Sequence, residues 1–371
     1  MPLFMDLHIV TGITAKGVAE AHVLDLNIQE EFECSCMTYW IDEANNCAFC
    51  LIEAPNETAV RELHKRSHGL LPHHIIQVNQ QTVKSFLGRL YDPEVPGVQE
   101  NQVKIFNDPA YRNLVFIDIT DPVLLENRYS PEKIRPLLHR FFAGIKEYSS
   151  RLEGEIAEHG EEINSILCFA SSTHAHTCAL EIANVLTAEE KEILGLKISL
   201  NSGLPVSSSE RIFGETIEFG KRLLYTSVSS RIVVANNVKD IARREILDAG
   251  VVNSFTISWA EEKILDTIFN VLELHSNNEN FGIEEFCREA GFSKSSLNRH
   301  TRALTSISPN TLLKQFRMKR ALQLLRKGEN ISSVSFMAGF RSPSYFSKCF
   351  REHFFLSPSE YTEQVRSYPV L

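Results

Sequence analysis

The sequence predicts an α+β multidomain fold with three parts: a βαββαβ unit, a second mixed α/β domain, and an all-α region towards the C-terminal end. Three observations lead there. The chain has 371 residues, more than one ordinary core accommodates. Apolar residues repeat with period two and with helical period in alternation as far as residue 255, and only with helical period after Ile257. The net charge of −9 is unevenly placed. Gly291–Arg351 holds 12 Lys and Arg against one acid, Glu329, which leaves 26 Lys and Arg against 46 acids in the rest. A basic module on an acidic body fits a local polyanion partner.

Composition excludes several classes. Hydrophobic residues make up 43% and charged residues 23%, as in a globular protein. No apolar run reaches the length of a membrane span. The opening Met-Pro-Leu-Phe-Met-Asp-Leu-His is not expected to act as a signal peptide. Eight cysteines are too sparse for a disulfide scaffold, so reduced thiols and a cytoplasmic location are expected.

Residues 1–79 justify the first unit. Leu3–Val10 alternates as a strand and Thr14–Gln29 has a helical pattern. Cys36–Asp42 and Cys47–Glu53 flank the turn Glu43-Ala44-Asn45-Asn46 as a hairpin. Asn56 opens a helix that stops at Gly69, and His74–Val78 is a last strand. This order is the ferredoxin-like one. Residues 80–113, with Asp92-Pro93, Val95-Pro96-Gly97 and Asp108-Pro109, read as a linker. From 114 to 255, strands at Leu114–Ile119, Asn164–Ala170, Leu196–Ser202 and Arg231–Ala235 alternate with helices at Pro131–Glu158, Cys178–Leu186 and Gly214–Thr226.

Residues 256–371 contain a repeat. Ala290-Gly291-Phe292-Ser293 and Ala338-Gly339-Phe340-Arg341-Ser342-Pro343 each follow a short amphipathic helix and open another. Glycine permits the tight turn, and Ser or Pro starts the second helix. That helix carries one buried hydrophobe (Leu297; Phe346) and an outward polar face, as a major-groove reader requires. Met318, Ala321, Leu322 and Leu325 form one apolar stripe on the helix between the repeats, which can fix the spacing of two readers.

With Met318-Lys319-Arg320-Ala321, Ser342-Pro343-Ser344-Tyr345-Phe346 and Leu356-Ser357-Pro358-Ser359-Glu360-Tyr361, residues 261–366 resemble the DNA-binding domain of AraC/XylS-type regulators. The resemblance implies a sequence-specific transcription regulator on double-stranded DNA. It would place Ser295, Ser296, Asn298 and Arg299 in one major groove and Ser342, Ser344, Tyr345 and Lys348 in the next. Arg302 and Arg351 would contact phosphates. Arg299-His300-Thr301 departs from the family, which usually has an aromatic two residues after the basic position.

The N-terminal unit, on Met5-Asp6-Leu7-His8, Ala19-Glu20-Ala21-His22, Tyr39-Trp40, Phe49-Cys50-Leu51-Ile52-Glu53 and His64-Lys65-Arg66-Ser67-His68, resembles small nickel-responsive ferredoxin-like domains. His64 and His68, at i and i+4, share a helical face and can hold one ion. His8, Cys50 and Glu53 complete the candidate set, for nickel or zinc. The same histidines also suit the surface of an amphipathic helix, and Cys50 suits a core. Cys34, Cys36 and Cys47 are a further thiol set for a soft metal or a redox pair.

Residues 114–240 resemble the class III nucleotide cyclase catalytic domain, an α/β sandwich. Phe116-Ile117-Asp118-Ile119-Thr120, Leu200-Asn201-Ser202-Gly203 and Phe213-Gly214-Glu215-Thr216 through Arg222-Leu223 carry the likeness. That chemistry needs two metal-binding carboxylates. Asp118 matches the first, but Ile163 stands at the second, and Glu218 stands where the family has its transition-state asparagine. Arg222 matches the family's arginine. The expectation is therefore a degenerate, non-enzymatic domain serving dimerisation or ligand binding, in a regulator that is a homodimer through its middle or N-terminal domain. The alternatives are a nucleotide cyclase tethered to DNA, a metal-storage unit fused to a regulator, or a regulator sensing a small organic ligand.

Overall fold

A computed structural model describes residues 1–94, 99–100, 103–157, 165–226, 231–238 and 254–368. Ile163 and its neighbours in the second-carboxylate position lie outside the described residues.

The first unit runs β1 (Leu3–Ile9), α1 (Ala15–Ile28), β2 (Ser35–Asp42), β3 (Cys47–Glu53), α2 (Glu57–Ser67), β4 (His74–Val78). Its sheet has the order β2-β3-β1-β4 and is antiparallel throughout. This is the arrangement expected from sequence. Thr14 and Asn56 cap the two helices by accepting from the Gly17 and Ala59 amides. Strand alternation divides the side chains. Phe4, Ile41, Cys50 and Ile52 face the helices, whereas Leu3, Met5, Leu7, Phe49 and Leu51 face away.

The segment 80–113 is more than a tether. It contains α3 (Gln80–Leu87), whose Val83, Phe86 and Leu87 are buried against the free face of the first sheet. Arg89 stacks over Trp40 and Phe106 and pairs with Asp108 at 3.0 Å. The turn residues suggested a loop, but these apolar and cationic groups have a surface to cover.

The middle domain is built on a six-stranded sheet of order β12-β11-β10-β7-β9-β8. Its strands are β7 (Arg112–Asp118), β8 (Glu155–Ala157), β9 (Ser165–Phe169), β10 (Lys197–Gly203), β11 (Ile232–Val234) and β12 (Ser254–Thr256). The minor pair β5 (Gln99–Glu100) and β6 (Val103–Lys104) precedes it. On one face lie α4 (Pro122–Tyr129), α5 (Pro131–Arg151), α6 (Ser172–Asn184) and α7 (Ala188–Leu194). Leu137, Phe141 and Ile182 pack there on Val115, Ile117 and Leu167. On the other face Leu114, Phe116 and Ile166 meet α3, α8 (Gly214–Leu223) and the outward residues of the first sheet. The helix α8 comes so close to β7 that a Cβ on Gly220 would overlap the Phe116 ring.

The C-terminal region is helical from Trp259. A connecting helix, Trp259–His275, extends the middle core through Leu265, Ile268, Phe269 and Leu272 into the first helix-turn-helix. The second one packs around Met318, Phe346, Phe350 and Tyr361, and takes in Val123 and Leu124 of α4. Both halves are thus docked on the middle domain.

Candidate metal centre and nucleic-acid interface

Asp6 and His8 on β1 are two residues apart and face the helices, while Cys50 reaches the same space from β3. From above, α2 contributes His64 and His68, and α1 contributes Asp25. All but His68 are buried, with His64 fully so. His64 Nε2 lies 2.8 Å from Asp6 Oδ2, and its Nδ1 lies 3.1 Å from His68 Nε2 and 3.3 Å from Asp25 Oδ1. His8 Nε2 is 3.4 Å from Asp6 Oδ1, and the Cys50 amide donates to that oxygen at 3.0 Å. Two ligand groups result, Asp6–His8–Cys50–His64 and Asp25–His64–His68, with donor atoms inside each group within 4.8 Å.

Buried carboxylates and imidazoles set the electrostatics of this group. Burial would raise the Asp6 carboxyl, but His8 and His64 outweigh it and hold the group well below the usual carboxylate range. Burial acts the same way on Asp25 and is likewise overcome, there by His64 and His68. Burial would lower His64, yet Asp6 and Asp25 together lift it to about 10. The Cys50 thiol is pushed well above its ordinary value by burial and then by Asp6. An imidazolium held between two carboxylates is a place where a divalent ion can replace the proton. His8 Nε2 is buried and makes no well-formed hydrogen bond, with Asp6 Oδ1 at 3.4 Å, so coordination would satisfy it better. Imidazole, thiolate and carboxylate are donors suited to a borderline divalent ion. A cavity of about 200 Å³ bordered by His8, His22, Asp25, Cys50, His68 and Leu70 leads to the group.

Four of the five residues singled out from sequence, His8, Cys50, His64 and His68, are brought together. Glu53 is not. It stands three residues from Cys50 on a strand, so it faces the opposite side, near Gln80 Nε2 at 3.5 Å. Asp6 and Asp25 were missed. The signal for Asp6 was its even spacing from His8. For Asp25 it was the inward helical series Val18, His22, Asp25. The thiol set Cys34, Cys36 and Cys47 does not form, because Cys47 sits in the cluster on the far face of the sheet. Burial first, and then Asp42, pushes its thiol up to about 12.

The second interface is on the helices Lys294–Thr305 and Pro343–Phe354. Ser293 and Ser342 cap them by accepting from the Ser296 and Tyr345 amides. Gly291 and Gly339 take φ of 68° and 81° in the preceding turns. A Cβ on Gly339 would strike the Ser276 carbonyl. Leu297 and Phe346 are fully buried beneath. Ser295, Asn298, Arg299, Arg302, Ser344, Tyr345, Lys348 and Arg351 are exposed, and Ser296 is half-buried. Ser342 is half-buried, with its hydroxyl engaged in the cap. Thr301, where an aromatic was expected from the resemblance, is completely buried, and His300 packs on Phe292. The linking helix Pro309–Arg326 holds the frame. Its Arg317 donates to the carbonyls of Ser276, Asn278 and Phe281 at 2.8–3.0 Å.

The cyclase-like positions are occupied differently. Asp118 Oδ2 accepts from Lys319 Nζ of the linking helix at 3.3 Å. Arg222 is buried and donates to Asp266, Asn270 and Glu273 of the connecting helix. Glu218 is exposed and lines a different cavity, beside Arg211 and Lys221.

Residues 286–364 match the family described as helix-turn-helix domain, and residues 4–78 match the family described as nickel responsive protein SCO4226-like. Among curated relatives, histidine kinase P4 of Formosa agariphila is 39% identical over 127 residues, 34% of this chain and 9% of that protein. The HTH-type transcriptional activator RhaR of Pectobacterium atrosepticum is 34% identical over 106 residues, 28% of this chain and 37% of that one. The chain therefore spans well under half the length of these two relatives. Among solved structures, SCO4226 from Streptomyces coelicolor is 32% identical over 20% of this chain and 94% of its own, with a TM-score of 0.20. A bacterial light-regulated adenylyl cyclase is 12% identical over 65% of this chain and 87% of its own, with a TM-score of 0.29.

Proposed function

We propose that this chain, which carries an AraC-type helix-turn-helix domain at 286–364 and a SCO4226-like unit at 4–78, is a sequence-specific transcription regulator whose DNA affinity responds to a divalent metal. One observation carries the reading. Two helix-turn-helix units, fixed on a single linking helix, each present a second helix with exposed Ser, Asn, Arg, Lys or Tyr side chains over a buried hydrophobe. Two readers on one frame can enter successive major grooves about 10 base pairs apart. Ser295, Ser296, Asn298 and Arg299 read one half-site. Ser342 starts the second reader helix, and Ser344, Tyr345 and Lys348 read the other half-site. Arg302 and Arg351 hold phosphates.

Nickel or zinc would be held on one side of the His64 ring, by Asp6, His8 and Cys50 with Nε2 or by Asp25 and His68 with Nδ1. When bound, it would supply a fixed positive charge tying α2 to the strands β1 and β3 or to α1. His64 would give up the proton on that nitrogen, and the neighbouring carboxylate would stay ionised. Since α3 and the first sheet pack on the middle domain, a shift of these helices can reach the DNA-binding frame. Its size is set by the metal's differential affinity for the two arrangements.

The middle domain is a non-catalytic scaffold in this reading. Asp118 and Arg222, the residues a cyclase would use, are both engaged by the C-terminal region. The homodimer of this reading forms through the middle domain or the N-terminal unit. No described helix is long and apolar enough to cross a membrane, which fits a cytoplasmic regulator.

The test is selection of bound duplexes from a random pool by the purified full chain, with and without nickel. A two-part motif with about one helical turn between its halves is expected, bound with different affinity when nickel is present. Retention of random sequence without enrichment would refute the regulator. Enrichment that ignores nickel and zinc would refute only the metal response.

A further inference from the structure

Strand β10 starts at Lys197, which is paired in register with Asp118 at the end of β7. Lys319 reaches the same corner from the linking helix, 3.3 Å from Asp118. Both ammonium groups lie over the Tyr225 ring, at 5.8 Å for Lys197 and 5.7 Å for Lys319. Two cations thus stand beside one carboxylate, which Lys319 engages. Across the space, Asp121 is matched by Arg326 at 2.8 Å and by the Tyr361 hydroxyl. Among the described residues, no carboxylate lies within ion-pair reach of the Lys197 ammonium. Burial lowers the proton affinity of that ammonium, and Lys319 adds to the effect against Asp118.

These groups line a cavity of about 400 Å³, ample for a small metabolite. The rest of its wall has an apolar part, Leu124, Leu224, Leu322 and Phe354, beside the polar Thr120, Gln315, Gln323 and His353. A cation without a counter-charge beside an apolar wall is matched by an anion with an apolar body. A divalent metal is a poor occupant, because Asp118 is already neutralised by Lys319 and hard cations need several oxygen ligands.

We propose that this cavity binds a small organic anion, its phosphate or carboxylate head between Lys197 and Lys319 and its body against Leu124, Leu224 and Leu322, without a divalent metal. The walls come from the middle domain, from the linking helix and, through His353 and Phe354, from the end of the second reader helix. Occupancy therefore bears on how the DNA-binding frame is docked. Binding itself follows from the cavity alone, whereas the effect on DNA rests on the regulator reading above.

The experiment uses the full chain in a chelator and titrates it by calorimetry with two probes of one body, phenyl phosphate and benzoate. At least one saturates, and the better probe identifies the head group. Lys197→Met weakens it about tenfold or more, while Lys197→Arg retains it. Leu322→Trp, which fills the cavity from the other wall, blocks both probes, so the result does not depend on Lys197→Met folding. No saturation by either probe up to about 10 mM, or unchanged binding in both Lys197→Met and Leu322→Trp, overturns the site. Tightening by magnesium that Asp118→Asn removes overturns the metal-free mode. A probe that binds yet leaves affinity for the selected duplex unchanged overturns the coupling. Failure to bind any duplex is instead a failure of the regulator reading.

Discussion

Arg222, on α8 of the middle domain, grips Glu273 of the connecting helix through two hydrogen bonds, from Nε at 3.1 Å and Nη2 at 2.6 Å. The same guanidinium donates to Asp266 at 2.7 Å and Asn270 at 2.8 Å. Its own side chain is 8% exposed, but Asp266 and Glu273 are 44% and 39% exposed, so water offsets part of the charge attraction. Arg222→Ala should cost about 1–3 kcal/mol, mainly from lost charge-assisted bonds and packing. Arg222→Lys should recover little, since an ammonium cannot reproduce the fork. Urea midpoints of the three proteins decide this, and a lysine variant as stable as the parent would contradict it.

Asp121 makes the second inter-domain clamp and is 5% exposed. It caps α4 by accepting from the Val123 amide, and it faces both Arg326 and Tyr361. Asp121→Ala removes a cap and strands a half-buried guanidinium, a loss of about 3 kcal/mol. Asp121→Asn can keep the Val123 cap through its one oxygen but then turns its NH2 towards Arg326 and Tyr361, so it should recover only the cap, about 1 kcal/mol. Equal destabilisation by the two substitutions would show that charge alone decides the clamp.

Metal binding separates the residues that converge from the one that does not. His64→Ala should abolish tight nickel or zinc binding, because His64 belongs to both ligand groups. Whichever of His68→Ala and Cys50→Ser weakens it by tenfold or more, on the scale of about 1.4 kcal/mol per decade, identifies the group that holds the ion. Glu53→Ala should leave it unchanged, since that side chain faces away. Calorimetric titration of the four variants tests the arrangement, and a Glu53 effect equal to that of His64 would contradict it.

Binding should also release protons. His64 carries one between Asp6 and Asp25, and the Cys50 thiol is neutral at pH 7. Both must deprotonate to ligate, so affinity rises with pH and falls in acid. Calorimetry in buffers of differing ionisation heat should return at least one proton released per ion. A value of zero would place the metal elsewhere.

DNA affinity should fall steeply with salt, because the readers lie in a segment with 12 cations and one acid. Arg302→Ala and Arg351→Ala should each lower the slope of log K against log salt by about one and weaken all sequences alike. Asn298→Ala should relax preference at one half-site only, costing about 1–3 kcal/mol there. A wild-type slope near zero would exclude phosphate contact as the source of affinity.

Cyclic nucleotide formation from ATP or GTP with manganese should be undetectable. The motive is Asp118 held by Lys319 and Arg222 held by Glu273. Turnover that Asp118→Ala abolishes would restore the enzyme reading.

Read alone, the sequence determined the local units of this protein: the βαββαβ order, the caps at Asn56, Ser293 and Ser342, the glycine turns at 291 and 339, and the buried stripe of the linking helix. These are short-range features, in which hydrogen-bond periodicity and backbone sterics act within a few residues. Strand parity in the same sequence puts Glu53 on the opposite face from Cys50, yet the ligand set drawn from sequence held both. Only the tertiary structure decided that Asp25 joins His64, 39 residues away, or that Lys319 reaches Asp118 across 201 residues. A buried charge shows no periodicity of its own; it is tolerated where a partner from another element neutralises it, and that partner is chosen by how the elements pack.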